Sequence, residues 1–191
     1  MRTLLSSLLL AATVLNLSAA DTKELPKDVK RIPVTFSGGY DTDPRDKGRP
    51  VILIAGALGV QPQVFRDAFS NVHPAGPDRG PTDAEARKNK EVLMKALGKH
   101  GITNERLDEV SNYYRYVKSR GETWKHKDAK ANALVKDGAV IGYEITEGGS
   151  GYSSVPTITV PGIKDAKAKV EVSYSKTFEK NGKISAMTIV K

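Results

Sequence analysis

The sequence predicts an α+β fold: a small helical domain of two helix-turn-helix-like pairs, followed by a short antiparallel β-hairpin module. Three observations predict it. Between 49 and 120, apolar residues recur at helical spacing. Val64, Phe65, Ala68 and Phe69 form one stripe, and Leu107, Val110, Tyr114 and Val117 form another, at intervals of 3, 4 and 3. After 129 the period drops to two, as in Ala131, Ala133 and Val135 and again in Ala166, Ala168, Val170 and Val172. Asp137-Gly138 and Asn181-Gly182 then supply hairpin-type turns between the alternating runs.

The first element is a leader. Met1-Arg2-Thr3 carries one positive charge, 4–17 is mostly apolar, and Ser18-Ala19-Ala20 offers the small residues that a signal peptidase requires. Residues 1–20 are therefore expected to be a cleavable signal peptide, with the working protein starting near Asp21. The apolar run falls short of the roughly 20 residues that span a bilayer, and no later segment approaches that length. The expected location is periplasmic, cell-surface or secreted, with no transmembrane segment after cleavage.

Residues 21–48 form the second element, expected to be a linker or tether in which Ile32, Val34 and Phe36 could make one short strand. Within it, Asp41, Asp43, Asp46 and Gly48 are spaced somewhat like a calcium loop. Arg45 and Ile52 occupy two ligand positions of an EF-hand, so a polar turn is the better reading.

The helical domain is placed at 49–128. Helices are expected over 50–58, 62–70, 83–99 and 104–119. Proline at first turns and Gly59 and Gly101 just past helix ends punctuate them. Thr82 with Glu85 is a capping box, and Thr103 is an N-cap. The stretch 51–58 is apolar almost all round, which predicts a buried central helix. A Pro/Gly loop is expected from His73-Pro74 to Pro81.

The β-module is placed at 129–191. Its second turn is Gly148-Gly149-Ser150-Gly151-Tyr152, ahead of Val155-Pro156-Thr157-Ile158-Thr159-Val160. This segment resembles a β-repeat of bacterial surface and exported proteins and of phage structural proteins. In that repeat a Gly-Gly-x-Gly-Tyr turn precedes a Pro-Thr-(Val/Ile)-x-(Val/Ile) strand. The resemblance implies a structural or binding role, with Gly148, Gly149, Gly151, Tyr152 and Pro156 as turn residues. One complete copy is present, where such repeats usually form arrays. The helical part, with Gly48-Arg49-Pro50, Ala57-Leu58-Gly59-Val60, Phe65 to Ser70 and Tyr114-Arg115-Tyr116, is similar to uncharacterised exported bacterial proteins that carry the same β-unit.

Composition narrows the chemistry. The 191 residues include no cysteine, which removes disulfides, thiolate catalysis, Cys-ligated zinc and c-type haem attachment. The formal charge of +8 draws an exported protein toward anionic surfaces. Tyr113 to Lys130 concentrates that charge. Tyr113, Tyr116, Arg120, Trp124, Lys125 and Lys127 are the candidate ligand-binding residues, because aromatic faces with cations between them suit sugars or bases with anionic groups. The alternative is that Tyr114 is core and the cations follow a helix C-terminus.

No catalytic residue, metal site or cofactor is assigned. Glu105, Asp108 and Glu109 cluster on one helical turn and could serve a hydrolase as a carboxylate pair, but acidic residues are expected at a helix N-terminus. His73, His100 and His126 show no metal spacing, and Gly149-Ser150-Gly151 is not a nucleophile elbow. The pair of helices around Gly59-Val60 resembles a DNA-reading helix-turn-helix, but Asp67 and Phe69 stand where groove-reading side chains would be, and export removes intracellular DNA as a partner. The expected function is therefore that of an exported, non-enzymatic structural or binding protein. Its expected partner is an anionic cell-surface polymer or another surface protein. A binder of anionic polysaccharide or extracellular nucleic acid is the alternative.

Overall fold

A computed structural model describes residues 25–73, 75, 81–164 and 166–190. The expected leader and most of the expected Pro/Gly loop lie outside the described residues. The fold is α+β, with helices in the N-terminal part and antiparallel strand pairs in the C-terminal part.

Strands β1 (Lys30–Pro33) and β2 (Thr35–Ser37) come first. The helices are α1 (Val51–Leu58), α2 (Pro62–Phe69), α3 (Asp83–Leu97) and α4 (Asn104–Tyr113). Strands β3 (Lys130–Lys136), β4 (Ala139–Glu147), β5 (Thr157–Thr159), β6 (Ala168–Ser173) and β7 (Lys183–Ile189) complete the chain. They form three small antiparallel sheets, ordered β1-β3-β4, β2-β5 and β6-β7.

The expected caps are in place. Thr82 Oγ1 accepts from the Glu85 N–H at 3.3 Å, while Glu85 Oε2 accepts from the Thr82 N–H at 2.8 Å. Thr103 Oγ1 accepts from the Arg106 N–H at 3.2 Å, satisfying one of the free donors of the α4 N-terminus. Helix α1 is the central element: Leu53, Ala55 and Ala57 are fully buried. It packs against α2 and α4 on the helical side. Its other side meets the β-module at Gly56, where a Cβ would lie 2.6 Å from Asn181 Oδ1 and 2.9 Å from Tyr174 Cβ. Gly56 is there to let another chain segment approach the helix backbone, at the cost of helix propensity.

Several boundaries differ from the expected ones, each for a tertiary reason. The segment expected to be a tether supplies β1 and β2. β1 pairs with β3, with Ile32 opposite Ala133, and β2 pairs with β5, with Phe36 opposite Ile158. Short strands such as these hold only when an existing sheet edge accepts their hydrogen bonds. α4 ends at Tyr113, six residues before the expected end, and Val117 stands off the core stripe, 38% exposed. Burial of Tyr114 and Tyr116 on different neighbours outweighs continuation of the helical period. The division at 128/129 is also crossed by side chains. Tyr174 and Phe178 pack into the helical core, and Phe178 stacks on Tyr113 with centroids 3.9 Å apart.

In the sheet β1-β3-β4 the expected alternation is observed. Ala131, Ala133 and Val135 face the core, and Asp137-Gly138 turns the hairpin with φ of 49° and 78°. Tyr143 lies opposite Ala133, and its buried hydroxyl has no hydrogen-bond partner among the described residues. An unsatisfied hydroxyl costs free energy, so Tyr143→Phe is expected to be neutral or to stabilise by up to about 1 kcal/mol. Chemical denaturation of the two proteins checks this; a clear loss of stability would show that the hydroxyl has a partner.

Asn181-Gly182 is not a two-residue hairpin turn. Asn181 is extended (φ −89°, ψ 123°) and fully buried, and the loop between β6 and β7 is closed by the short 3₁₀ turn Phe178–Lys180. Asn181 donates to Leu53 O and to Tyr114 Oη, each at 2.7 Å, and accepts from the Ser175 N–H at 3.0 Å. One side chain therefore ties α1, the end of α4 and the β6–β7 loop together.

Candidate functional site

The candidate residues come to two different fates. The aromatic ones turn inward and the cationic ones turn outward. Trp124 is 3% exposed and donates its indole N–H to Gly151 O at 2.8 Å. It meets Tyr116 edge-on at 5.5 Å and Tyr40 edge-on at 6.4 Å. The expected stacking role is corrected on this point: both the ring and the polar handle of Trp124 are used internally, as a buried Trp requires. Tyr116 is half-buried and donates its hydroxyl to Gly48 O. Tyr113 is half-buried between Phe178 on one side and Lys125, whose Nζ lies 5.2 Å from the ring centroid.

Arg115, Lys118, Arg120, Lys125 and Lys127 are exposed. The hydrogen bonds of Tyr116 and Trp124 tie this stretch to the body on either side of the 3₁₀ turn Lys118–Arg120. Glu122 is turned back to accept from the Val117 N–H at 2.8 Å. Glu147 pairs with Lys127 and Lys130, each at 2.6 Å, and these hydrogen bonds hold its carboxyl down at about 2. Among the described residues, Arg115, Lys118, Arg120 and Lys125 have no carboxylate at ion-pair distance. The result is a set of solvated cations on a segment anchored at Tyr116 and Trp124.

Of the turn residues named from the sequence, Gly149, Gly151 and Tyr152 pack against 125–129. Gly149 and Gly151 take φ of 64° and 84°. A Cβ on Gly149 would fall 2.4 Å from Lys127 O, and one on Gly151 would fall 2.7 Å from His126 Cβ. Gly148 packs against Lys183 and Ile184. Tyr152 is 1% exposed and accepts from the Ala129 N–H at 3.0 Å, and Pro156 is buried. Sequence reasoning missed Tyr40. Its ring stacks on Tyr152 at 5.3 Å and belongs to both hydrophobic cores. The signal was available: Ser37-Gly38-Gly39-Tyr40 echoes Gly149-Ser150-Gly151-Tyr152, and Gly39 takes φ of 90°.

The acidic loop is an arginine-bound polar turn. Asp43 accepts from the backbone N–H and guanidinium of Arg45, which together hold its carboxyl far below the usual range. Asp46, 5% exposed, takes a two-point bond from Arg66 at 2.7 and 2.8 Å. Both carboxylates are thus occupied by protein cations. Between this turn and α2 lies a cleft of about 440 Å³, lined in part by Arg45, Lys47, Arg49, Arg66 and Phe69.

The other carboxylate group does not converge. Asp108 pairs with Lys90 at 2.6 Å beside a groove between α3 and α4, Glu109 pairs with Arg106, and Glu105 is exposed. Asp108 and Glu109 are each taken by a different cation and Glu105 faces solvent, so the three acids share no common reacting point. His73, His100 and His126 are all exposed, and His126 Nδ1 lies 2.9 Å from Trp124 O.

Burial pushes the Tyr114 and Tyr174 hydroxyls up to about 12, from an ordinary value near 10. The neutral form is the one the fold accommodates. The unfolded chain loses these protons first, so stability is full below pH 10 and is lost as pH rises from 10 through 12. Denaturant midpoints across this range, with tyrosinate absorbance as the second readout, are expected to fall together with the onset of ionisation. Ionisation of all seven tyrosines near pH 10 without unfolding would contradict it.

No family model, curated protein or solved structure matches this chain. Among the described residues, no helix is long and apolar enough to cross a membrane.

Proposed function

We propose that this protein is exported and works, without catalysing a reaction, as a binding protein for an anionic polysaccharide of the cell surface or periplasm. The observation that carries this reading is the division of labour in 113–127. Tyr116 and Trp124 anchor the segment, while Arg115, Lys118, Arg120 and Lys125 remain solvated and free of carboxylate partners among the described residues. A cluster of unpaired cations on one segment binds a polyanion by releasing its counterions, and it needs no aromatic platform. Polysaccharide is favoured over single-stranded nucleic acid because base stacking would need open ring faces, and Trp124 and Tyr113 already spend theirs on protein contacts.

The test is affinity for polygalacturonate as a function of salt. Binding is expected to weaken steeply with salt, and the double variant Lys118→Gln/Arg120→Gln is expected to show a shallower slope. Binding that ignores salt or this variant would overturn the reading, and so would a clear preference for single-stranded DNA. For export, N-terminal sequencing of the mature protein is expected to begin at Asp21. A chain that keeps residues 1–20 and stays in the cytoplasm would refute that part.

A further inference from the structure

We infer that the cleft beside the 3₁₀ turn Pro44–Asp46 is a receptor for one oxyanion group, the carboxylate or phosphate of an acidic sugar, with Arg49 and Lys47 as its ligands. The inference rests on the proposed polyanion binding and gives it a defined subsite.

At about 440 Å³ the cleft matches a small-molecule site in size. Four cations line it, and two of them are already committed. Arg45 is held by Asp43, and Arg66 by the buried Asp46. These pairs occupy the carboxylates of Asp43 and Asp46. Asp67, the other carboxylate at the rim, accepts from the Gln63 amide at 2.7 Å. Among the described residues, Arg49 and Lys47 have no carboxylate at ion-pair distance. The Arg49 guanidinium lies 4.3 Å from the Phe69 ring centroid, and its hydrogen bond within the described residues is a long one to Asp46 O, at 3.4 Å. The guanidinium sits over the ring, and among the described residues its other N–H donors have no partner. A planar fork held in this way suits a two-point bond to a carboxylate or phosphate.

Lys47 adds a second, independent sign. Its φ is 52°, in the left-handed region, and Gly48 follows at 90°. An L-residue with a long side chain is disfavoured there, and glycine or asparagine would fit without strain. The conformation places a cation at the cleft rim. The cleft also joins the cationic segment: Tyr116 donates to Gly48 O, and Lys118 Nζ would lie 3.2 Å from a Cβ on Gly48. A chain of acidic sugars lying on Lys118 and Arg120 could therefore place one acidic group in the cleft.

The experiment is calorimetric titration of the purified protein at low salt with glucuronate, glucose 1-phosphate and glucose. Saturable binding of at least one acidic sugar is expected, with none for glucose; which acid binds identifies the group. Arg49→Gln is expected to weaken that binding tenfold or more, and Arg49→Lys less. Lys47→Asn is expected to weaken it several-fold while leaving the thermal midpoint at or above that of the parent, which separates a ligand role from a folding role. The inference fails if neither acidic sugar saturates, or if Arg49→Gln and Lys47→Asn bind as the parent does. Failure here with salt-dependent polygalacturonate binding intact sinks the subsite alone. Intact acidic-sugar binding with no polymer binding sinks the polymer reading alone.

Discussion

Trp124→Ala is expected to destabilise the protein by about 3–5 kcal/mol, the usual cost of removing a buried Trp side chain. In a chain of this size that corresponds to a fall of roughly 6–20 °C in the thermal midpoint. The reason is structural. The ring is 3% exposed and is packed between Tyr116 and Tyr40. Its N–H satisfies Gly151 O, a carbonyl of the glycine turn. Trp124→Phe separates the two contributions. It keeps most of the apolar contact and leaves the carbonyl without its donor, so about 1–2 kcal/mol is expected. Differential scanning calorimetry of both variants decides the matter. If Trp124 were a surface ligand-stacking residue, both variants would fall within about 0.5 kcal/mol of the parent, and Trp fluorescence would respond to added polyanion.

The second large effect is expected at Asn181. Asn181→Ala removes two donors and an acceptor from a fully buried site, leaving the Ser175 N–H and the Tyr114 hydroxyl without their partner. A loss of about 2–4 kcal/mol is expected from the unsatisfied groups and the void together. Asn181→Asp gives a signature that simple truncation lacks. A carboxylate here would be fully buried and would face Leu53 O, so the folded state would favour the protonated acid. Its folded pKa would then exceed the ordinary aspartate value near 4, and the variant would lose stability as pH rises above 4. Denaturant midpoints measured from pH 4 to pH 8 should diverge steadily from the parent. A constant offset would mean that the site is hydrated.

These two residues explain why the local signals worked and where they stopped. Thr82-Glu85 and Thr103 capped the helices expected of them because a cap is settled by three or four neighbouring residues. Asp137-Gly138 turned its hairpin for the same reason. Asn181-Gly182 carries an equally strong local turn signal, yet Asn181 is a buried clasp on α1. The pattern of two residues holds no information about a helix 128 positions away. Val117 fits the apolar stripe of α4 on paper, but the chain leaves the helix at Tyr113 so that Tyr114 can reach Asn181 and Tyr116 can reach Gly48.

The candidate site divides in the same way. Its cations were legible, since Arg120 and Lys125 are charged wherever the chain goes. The roles of the aromatics were not, because a Tyr or Trp beside basic residues can stack on a ligand or anchor a loop, and only its surroundings decide which. The cleft was beyond sequence reach altogether. Its Asp41-to-Gly48 loop is spaced somewhat like a cation site, while Arg66, which pairs with Asp46, comes from α2.

By itself, the sequence determined the α+β class, the capped helices, the inward face of β3 and the excess of cations, since each follows from local propensity, side-chain period or composition. The tertiary structure alone decided that β1 and β2 join the sheets, that Tyr40 and Tyr152 stack at the joint of the two cores, that Trp124 is buried, and that Asp43 and Asp46 are neutralised. The physical reason is common to all four. A strand edge, a ring face or a buried charge is stable only when its partner arrives, and here the partner comes from elsewhere in the folded body.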